Sequence, residues 1–122
     1  MLLGATLGTN NLTAAGQFYD QVLAEIGMLR TMTIEGEIGY GSNGESCFWV
    51  LLPFNGEPAT FGNGTQITFQ ASTNAQVNMF YKAVLSAGGK DEGSPGFRYR
   101  ENYYGAYCRD LDGNKLHIKH ES

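Results

Sequence analysis

Basic clusters, long apolar runs and paired cysteines are all missing from this chain, and each absence removes a class of function. Eight Lys and Arg stand against twelve Asp and Glu, a formal net charge of −4, and no stretch concentrates the basic residues. Nucleic acid and anionic membrane are therefore not expected partners, because both are held through dense positive charge. No apolar run nears the ~20 residues that cross a bilayer. Met1-Leu2-Leu3-Gly4 lacks the charged region and long apolar stretch of a signal peptide, so a cytoplasmic location is the expectation. Cys47 and Cys108 have no CxxC spacing and match no zinc pattern, and both are read as small core residues. There is no GxGxxG or phosphate loop, and no serine has a nucleophile-elbow context.

What is present is a repeat. Phe18-Tyr19-Asp20-Gln21-Val22-Leu23-Ala24-Glu25-Ile26-Gly27 returns as Phe80-Tyr81-Lys82-Ala83-Val84-Leu85-Ser86-Ala87-Gly88-Gly89, with the matching residues 62 positions apart. In a chain of 122 residues that offset is about half the length and reads as a duplicated module. An apolar fraction of 42% with 16% charged residues suits one domain with a real core. The repeat divides it into module one (1–55), a linker rich in Pro and Gly (56–64) and module two (65–122).

Each module reads as βαβββ. In the first, Leu2 to Thr9 is a strand, and Asn11 caps a helix whose stripe is Leu12, Ala15, Phe18, Tyr19, Val22, Leu23 and Ile26. Strands follow at Met28–Ile34, Ile38–Ser42 and Ser46–Leu52, with Asn43-Gly44 as a hairpin turn. In the second, Thr65 to Ser72 is a strand, and Thr73 or Asn74 caps a helix with the stripe Val77, Phe80, Tyr81, Val84 and Leu85. Lys90 to Gly96 reads as a polar loop. Phe97 to Glu101 reads as a strand with Phe97 and Tyr99 on one face and Arg98 and Arg100 on the other. Tyr103–Arg109 and Lys115–Lys119 complete the module. Each sheet would have one face under a helix and one bare. The expected fold is therefore α+β, with the bare faces lining a cup in a curved mixed sheet.

Leu7-Gly8-Thr9-Asn10-Asn11-Leu12 leading into Phe18-Tyr19, the strand Asn102-Tyr103-Tyr104-Gly105-Ala106-Tyr107, and Arg109-Asp110-Leu111-Asp112-Gly113-Asn114 occur in that order. With the repeat, they make the chain resemble the glyoxalase/bleomycin-resistance/dioxygenase (vicinal oxygen chelate) superfamily over nearly its whole length. The last motif is similar to that family's D-P-D-G-N hairpin, with Leu111 where proline is usual. The resemblance implies a glyoxalase-like fold, a homodimer, and in the enzymes a divalent metal held from the first and last strands of each module.

Those ligand positions fall on Gly4, Trp49, Gln66 and His117. Glycine offers no donor atom and indole no acceptor, leaving one amide and one imidazole where catalytic zinc usually has three protein ligands. The expectation is thus no metal cofactor, with a divalent metal as the alternative. The leading reading is a metal-independent protein that binds a small organic ligand, aromatic or anionic, through Trp49, Gln66, Arg98, Arg100, Tyr103, Tyr107 and His117. No catalytic residue is assigned. One competing reading is a metal-dependent lyase or dioxygenase with an atypical site using Gln66 and His117. The other is a structural or interaction module whose cup is filled by its own side chains. Asp110 and Asp112 read as turn stabilisers.

Overall fold

The computed structural model describes residues 1–122. Module one runs β1 (Ala5–Gly8), α1 (Leu12–Ala24), β2 (Leu29–Ile34), β3 (Glu37–Ser42) and β4 (Glu45–Leu51). Module two runs β5 (Gln66–Gln70), α2 (Asn74–Ser86), β6 (Lys90–Phe97), β7 (Tyr103–Arg109) and β8 (Lys115–Glu121). Local chemistry sets the boundaries. Asn11 Oδ1 accepts from the Ala14 N–H at 3.0 Å and Thr73 Oγ1 from that of Gln76 at 3.0 Å, so both helices start on side-chain caps. Asn43 and Gly44 have φ of +56° and +79°, the left-handed pair that a two-residue hairpin between β3 and β4 demands.

The strands form two mixed four-stranded sheets of like order, β1-β4-β3-β2 and β5-β8-β7-β6. β1 and β5 are parallel edges that exchange no hydrogen bond, so the curved sheet comes in two halves. The registers confirm the duplication: Thr6 lies opposite Trp49 and Thr68 opposite His117. Thr6 and Thr68 are themselves 62 positions apart, which makes Trp49 and His117 counterparts.

Alternation sends Leu7, Ile38, Tyr40, Phe48 and Val50 under α1, and Phe69, Ala106, Cys108, Leu116 and Ile118 under α2. One core of 19 buried residues runs through both modules. The Phe48 and Phe69 rings meet edge to face at 5.4 Å, and α1 packs on α2. Each fully buried Val, Leu or Phe is worth roughly 1.5–3 kcal/mol, so this shared layer, not strand pairing, joins the modules.

A polar clamp reinforces it. Tyr19 on α1 donates to Asp110 Oδ2 at 2.5 Å, Thr9 Oγ1 donates to Asp112 at 2.6 Å, and Asn114 Nδ2 donates to the Gly8 carbonyl at 3.0 Å. The Asp110–Asn114 turn therefore grips the start of module one as well as closing β7 onto β8.

Three details differ from expectation. Lys90–Gly96 is strand, not loop. Its Gly93, Pro95 and Gly96 produce register shifts along β7 rather than ending the pairing. Cys108 is buried, and burial pushes its thiol up to about 12, but Cys47 is exposed. It sits where the β3–β4 register slips between Tyr40/Phe48 and Gly41/Ser46, out of alternation with the core. Leu85 is exposed at the end of α2, because Val77, Phe80 and Val84 alone meet the sheet squarely. No helix is long and apolar enough to cross a membrane.

Candidate functional site

Both sheets carry flat rings on their bare faces, and glycines make room for them. On β4, the Trp49 indole lies over Gly4 and Gly39. A Cβ at Gly4 would stand 2.3 Å from the indole, and one at Gly39 would stand 3.1 Å from it. On β8, the His117 ring lies against Gly105, where a Cβ would be 2.8 Å away. Gly93 leaves similar room for Tyr107. A glycine inside a strand marks such close approach.

The second sheet builds the denser group. Tyr103 and Tyr107, two positions of like parity on β7, both stack on His117 with planes 11° from parallel, at centroid distances of 5.8 and 4.1 Å. The Tyr103 hydroxyl bonds His117 Nε2 at 2.6 Å, and His117 Nδ1 lies 2.8 Å from the Ala106 carbonyl. A carbonyl only accepts, so Nδ1 carries the proton and Nε2 accepts from Tyr103. Burial lowers the His117 pKa, and Arg98, Lys119 and Lys115 add to the effect, while the Ala106 bond opposes it. The imidazole is neutral, buried and satisfied at both nitrogens.

Four cations ring this stack. Arg98 and Lys115 stand 5.5 and 5.0 Å from the Tyr107 centroid, and Arg100 and Lys119 stand 5.0 and 4.8 Å from that of Tyr103. Glu121 pairs with Arg100, through a 2.9 Å contact to Nη2 and a second to Nε, and with Lys119 at 3.0 Å. That sharing holds the Glu121 carboxyl down at about 2. Burial, then the bond to Tyr99, raises the Tyr107 phenol to about 12.

Tyr99 is where the expected alternation fails. The strand stops at Phe97, which packs on Tyr104 on the helix side at 5.0 Å. Tyr99 then takes a φ of +68°, a conformation costing a non-glycine residue about 1–2 kcal/mol. The turn brings Arg98, Tyr99 and Arg100 together onto the bare face. Tyr99 meets Tyr103 edge to face at 5.1 Å, and its hydroxyl bonds that of Tyr107. Sequence reasoning did not include Tyr99 in the site; a left-handed tyrosine leaves no mark in a hydrophobicity pattern.

The structure thus brings Arg98, Arg100, Tyr103, Tyr107 and His117 together, with Tyr99, Lys115 and Lys119. It does not bring Trp49 or Gln66 into the group. Trp49 is on the other sheet, with no aromatic contact to the stack. Gln66 is exposed at the margin, paired in register with Lys115 and lining a polar cavity of about 210 Å³ with Phe61, Arg109 and Lys115. A more apolar cavity of about 320 Å³ lies between the free edges of β1 and β5, lined by Leu2, Leu3, Ile67 and Phe69 among others.

The family profile of the Glyoxalase/Bleomycin resistance protein/Dioxygenase superfamily matches residues 2–118. The chain belongs to that superfamily. Its fold is similar to a glyoxalase/bleomycin resistance protein from Albidiferax ferrireducens, at 35% identity over 98% of each chain with a TM-score of 0.90. At 19% identity it resembles lactoylglutathione lyase from Agrobacterium tumefaciens, covering 98% of this chain and 92% of that one, TM-score 0.69. At 13% identity it resembles the fosfomycin resistance protein FosX from Listeria monocytogenes, solved with manganese(II) and sulfate, covering 100% and 90%, TM-score 0.72. The last two likenesses concern the fold alone. No curated protein sequence matches the chain significantly.

The metal that the superfamily's enzymes hold does not fit the residues at its positions here. The space beside Gly4 is taken by the Trp49 ring. His117 would have to give up the Tyr103 proton to free Nε2. Gln66 turns its amide nitrogen to Thr68 Oγ1 at 3.3 Å. No group of three or more His, Cys, Asp or Glu side chains lies close enough to share a cation.

Proposed function

We propose that this superfamily member binds a small organic ligand on the bare faces of its sheets and does so without a resident divalent metal. The observation that carries the reading is His117, the one imidazole at a family ligand position, sealed between two tyrosines with both nitrogens engaged. The surrounding chemistry supports an organic ligand: aromatic rings supply apolar contact, and four cations answered by one carboxylate supply attraction for an anion. No nucleophile and base pair is assembled beside it, so binding is the activity the geometry supports best.

A homodimer is part of the proposal. β1 and β5 are free edges beside an apolar cavity, and Leu2 and Leu3 next to it are exposed, a surface that a second copy would cover. Trp49 and the Tyr103–His117–Tyr107 stack would then be walls of sites completed in the assembly.

Elemental analysis of protein purified without chelator, with light scattering on the same sample, tests both parts. The expected results are far less than one divalent ion per chain and the mass of a dimer. One ion per chain would overturn the metal-independent reading, and a monomer would overturn the assembly. A thermal-shift screen of aromatic and anionic compounds tests the ligand: at ~100 Kd it adds about 2.7 kcal/mol. Tyr99 already covers the stack, which favours one other reading, a structural module with a filled face; stability indifferent to every compound would select it.

A further inference from the structure

Two of the four cations around the stack lack a carboxylate partner, and they are the two beside Tyr107. Arg100 and Lys119 share Glu121. Arg98 donates only to main-chain carbonyls, those of Ser94, Gly96 and Gly105, which leaves its charge unanswered. The Lys115 ammonium makes no hydrogen bond or ion pair within the chain and stands 5.0 Å from the Tyr107 centroid. Against this positive region rests the phenol ring of Tyr99. It is 69% exposed, held at a φ of +68°, edge-on to Tyr103 and hydroxyl to hydroxyl with Tyr107. A solvent-reachable ring in a disfavoured backbone conformation thus lies against the buried Tyr103 and the half-buried Tyr107 without neutralising the charge around them.

We propose that Tyr99 occupies the seat of the ligand's ring, and that the ligand is an aromatic carboxylate which displaces it. The ring would meet Tyr103 edge to face, as Tyr99 does now. The carboxylate would take the place of the Tyr99 hydroxyl, accept from the Tyr107 hydroxyl, and form charge-assisted contacts with Arg98 and Lys115. Tyr99 swinging out relaxes its left-handed backbone, which offsets part of the contact it gives up. The proposal rests on the reading of a ligand-binding face and names the chemistry that face selects.

A matched pair of probes tests it. p-Cresol is the side chain of Tyr99 itself, and p-toluate has the same ring and methyl with a carboxylate in place of the hydroxyl. Titration calorimetry on the full chain is expected to show p-toluate binding about tenfold more tightly than p-cresol, a step of ~1.4 kcal/mol. Tyr99→Gly suits the left-handed backbone and removes the internal competitor, so it should tighten both probes several-fold. Lys115→Gln should loosen p-toluate several-fold and leave p-cresol unchanged. Weaker binding of both probes to Tyr99→Gly would make Tyr99 a wall and overturn the proposal. Equal affinity for the two probes, or an equal effect of Lys115→Gln on them, would overturn the anionic assignment. Neither probe binding while other compounds stabilise the protein would sink this inference alone; no compound acting at all would sink the ligand-binding reading with it.

Discussion

Replacing Asp110 with alanine is expected to lower folding stability by roughly 3 kcal/mol or more, the size of breaking a buried charged network. The carboxylate is buried and accepts four hydrogen bonds. Tyr19 Oη donates at 2.5 Å, Asn114 Nδ2 at 2.8 Å, and the main-chain N–H groups of Asp112 and Asn114 at 2.9 Å each. Tyr19 lies 91 positions away on the other module, so the substitution loosens both the β7–β8 turn and the junction between halves. Tyr19→Phe removes only one of the four donors and should cost about 1–2 kcal/mol. Denaturant unfolding of the three proteins checks this, with unchanged slopes confirming that stability moved. An Asp110→Ala protein within about 1 kcal/mol of wild type would show that the clamp contributes little.

The pH signature of this group runs in a defined direction. Burial raises the Asp110 pKa, with the Tyr19 and Asn114 bonds opposing it. A carboxyl whose folded pKa lies above its unfolded value stabilises the fold fully below the unfolded pKa, near 3.9. That contribution is lost as pH rises through the folded pKa.

His117→Ala is the second large effect, expected at roughly 2–4 kcal/mol. It removes the ring between two tyrosines, deprives the nearly buried Tyr103 hydroxyl of its acceptor and leaves the Ala106 carbonyl without its donor. His117→Phe restores the ring but not the hydrogen bonds and should recover part of the loss. The sign with pH is opposite to that of Asp110. The folded pKa lies below the unfolded value near 6.5, so the unfolded chain takes up a proton that the native chain refuses. Stability is then fully present above about pH 6.5 and falls as pH drops through the folded pKa. Tyr103 and Tyr107 hold the ring, with Arg98 and Lys115 over Tyr107 and Lys119 over Tyr103. Unfolding midpoints measured from about pH 7 to 5 should decline more steeply for wild type than for His117→Phe. Parallel curves would mean that His117 does not set the slope.

Much of the architecture was legible because it is written in short-range patterns. The helical stripes, the Asn11 and Thr73 caps and the Asn43-Gly44 turn each depend on neighbours a few positions apart, and the repeat shows by comparing such stretches 62 positions apart. β6 was misplaced because Gly93, Pro95 and Gly96 have the composition of a loop, and only pairing with β7 holds them extended. The role of Gly4 and Gly105 became visible only once Trp49 and His117 lay over them.

By itself the sequence determined that two βαβββ units follow one another and which stripe of each helix is apolar. These follow from periodicity and residue type, which survive any arrangement of the parts. Only the tertiary structure decided that the sheets stay separate, that Asp110 reaches across to Tyr19, and that Tyr99 turns back over Tyr103 and Tyr107 between cations. Those contacts join residues through backbone geometry and long-range packing, and a local pattern carries no record of either.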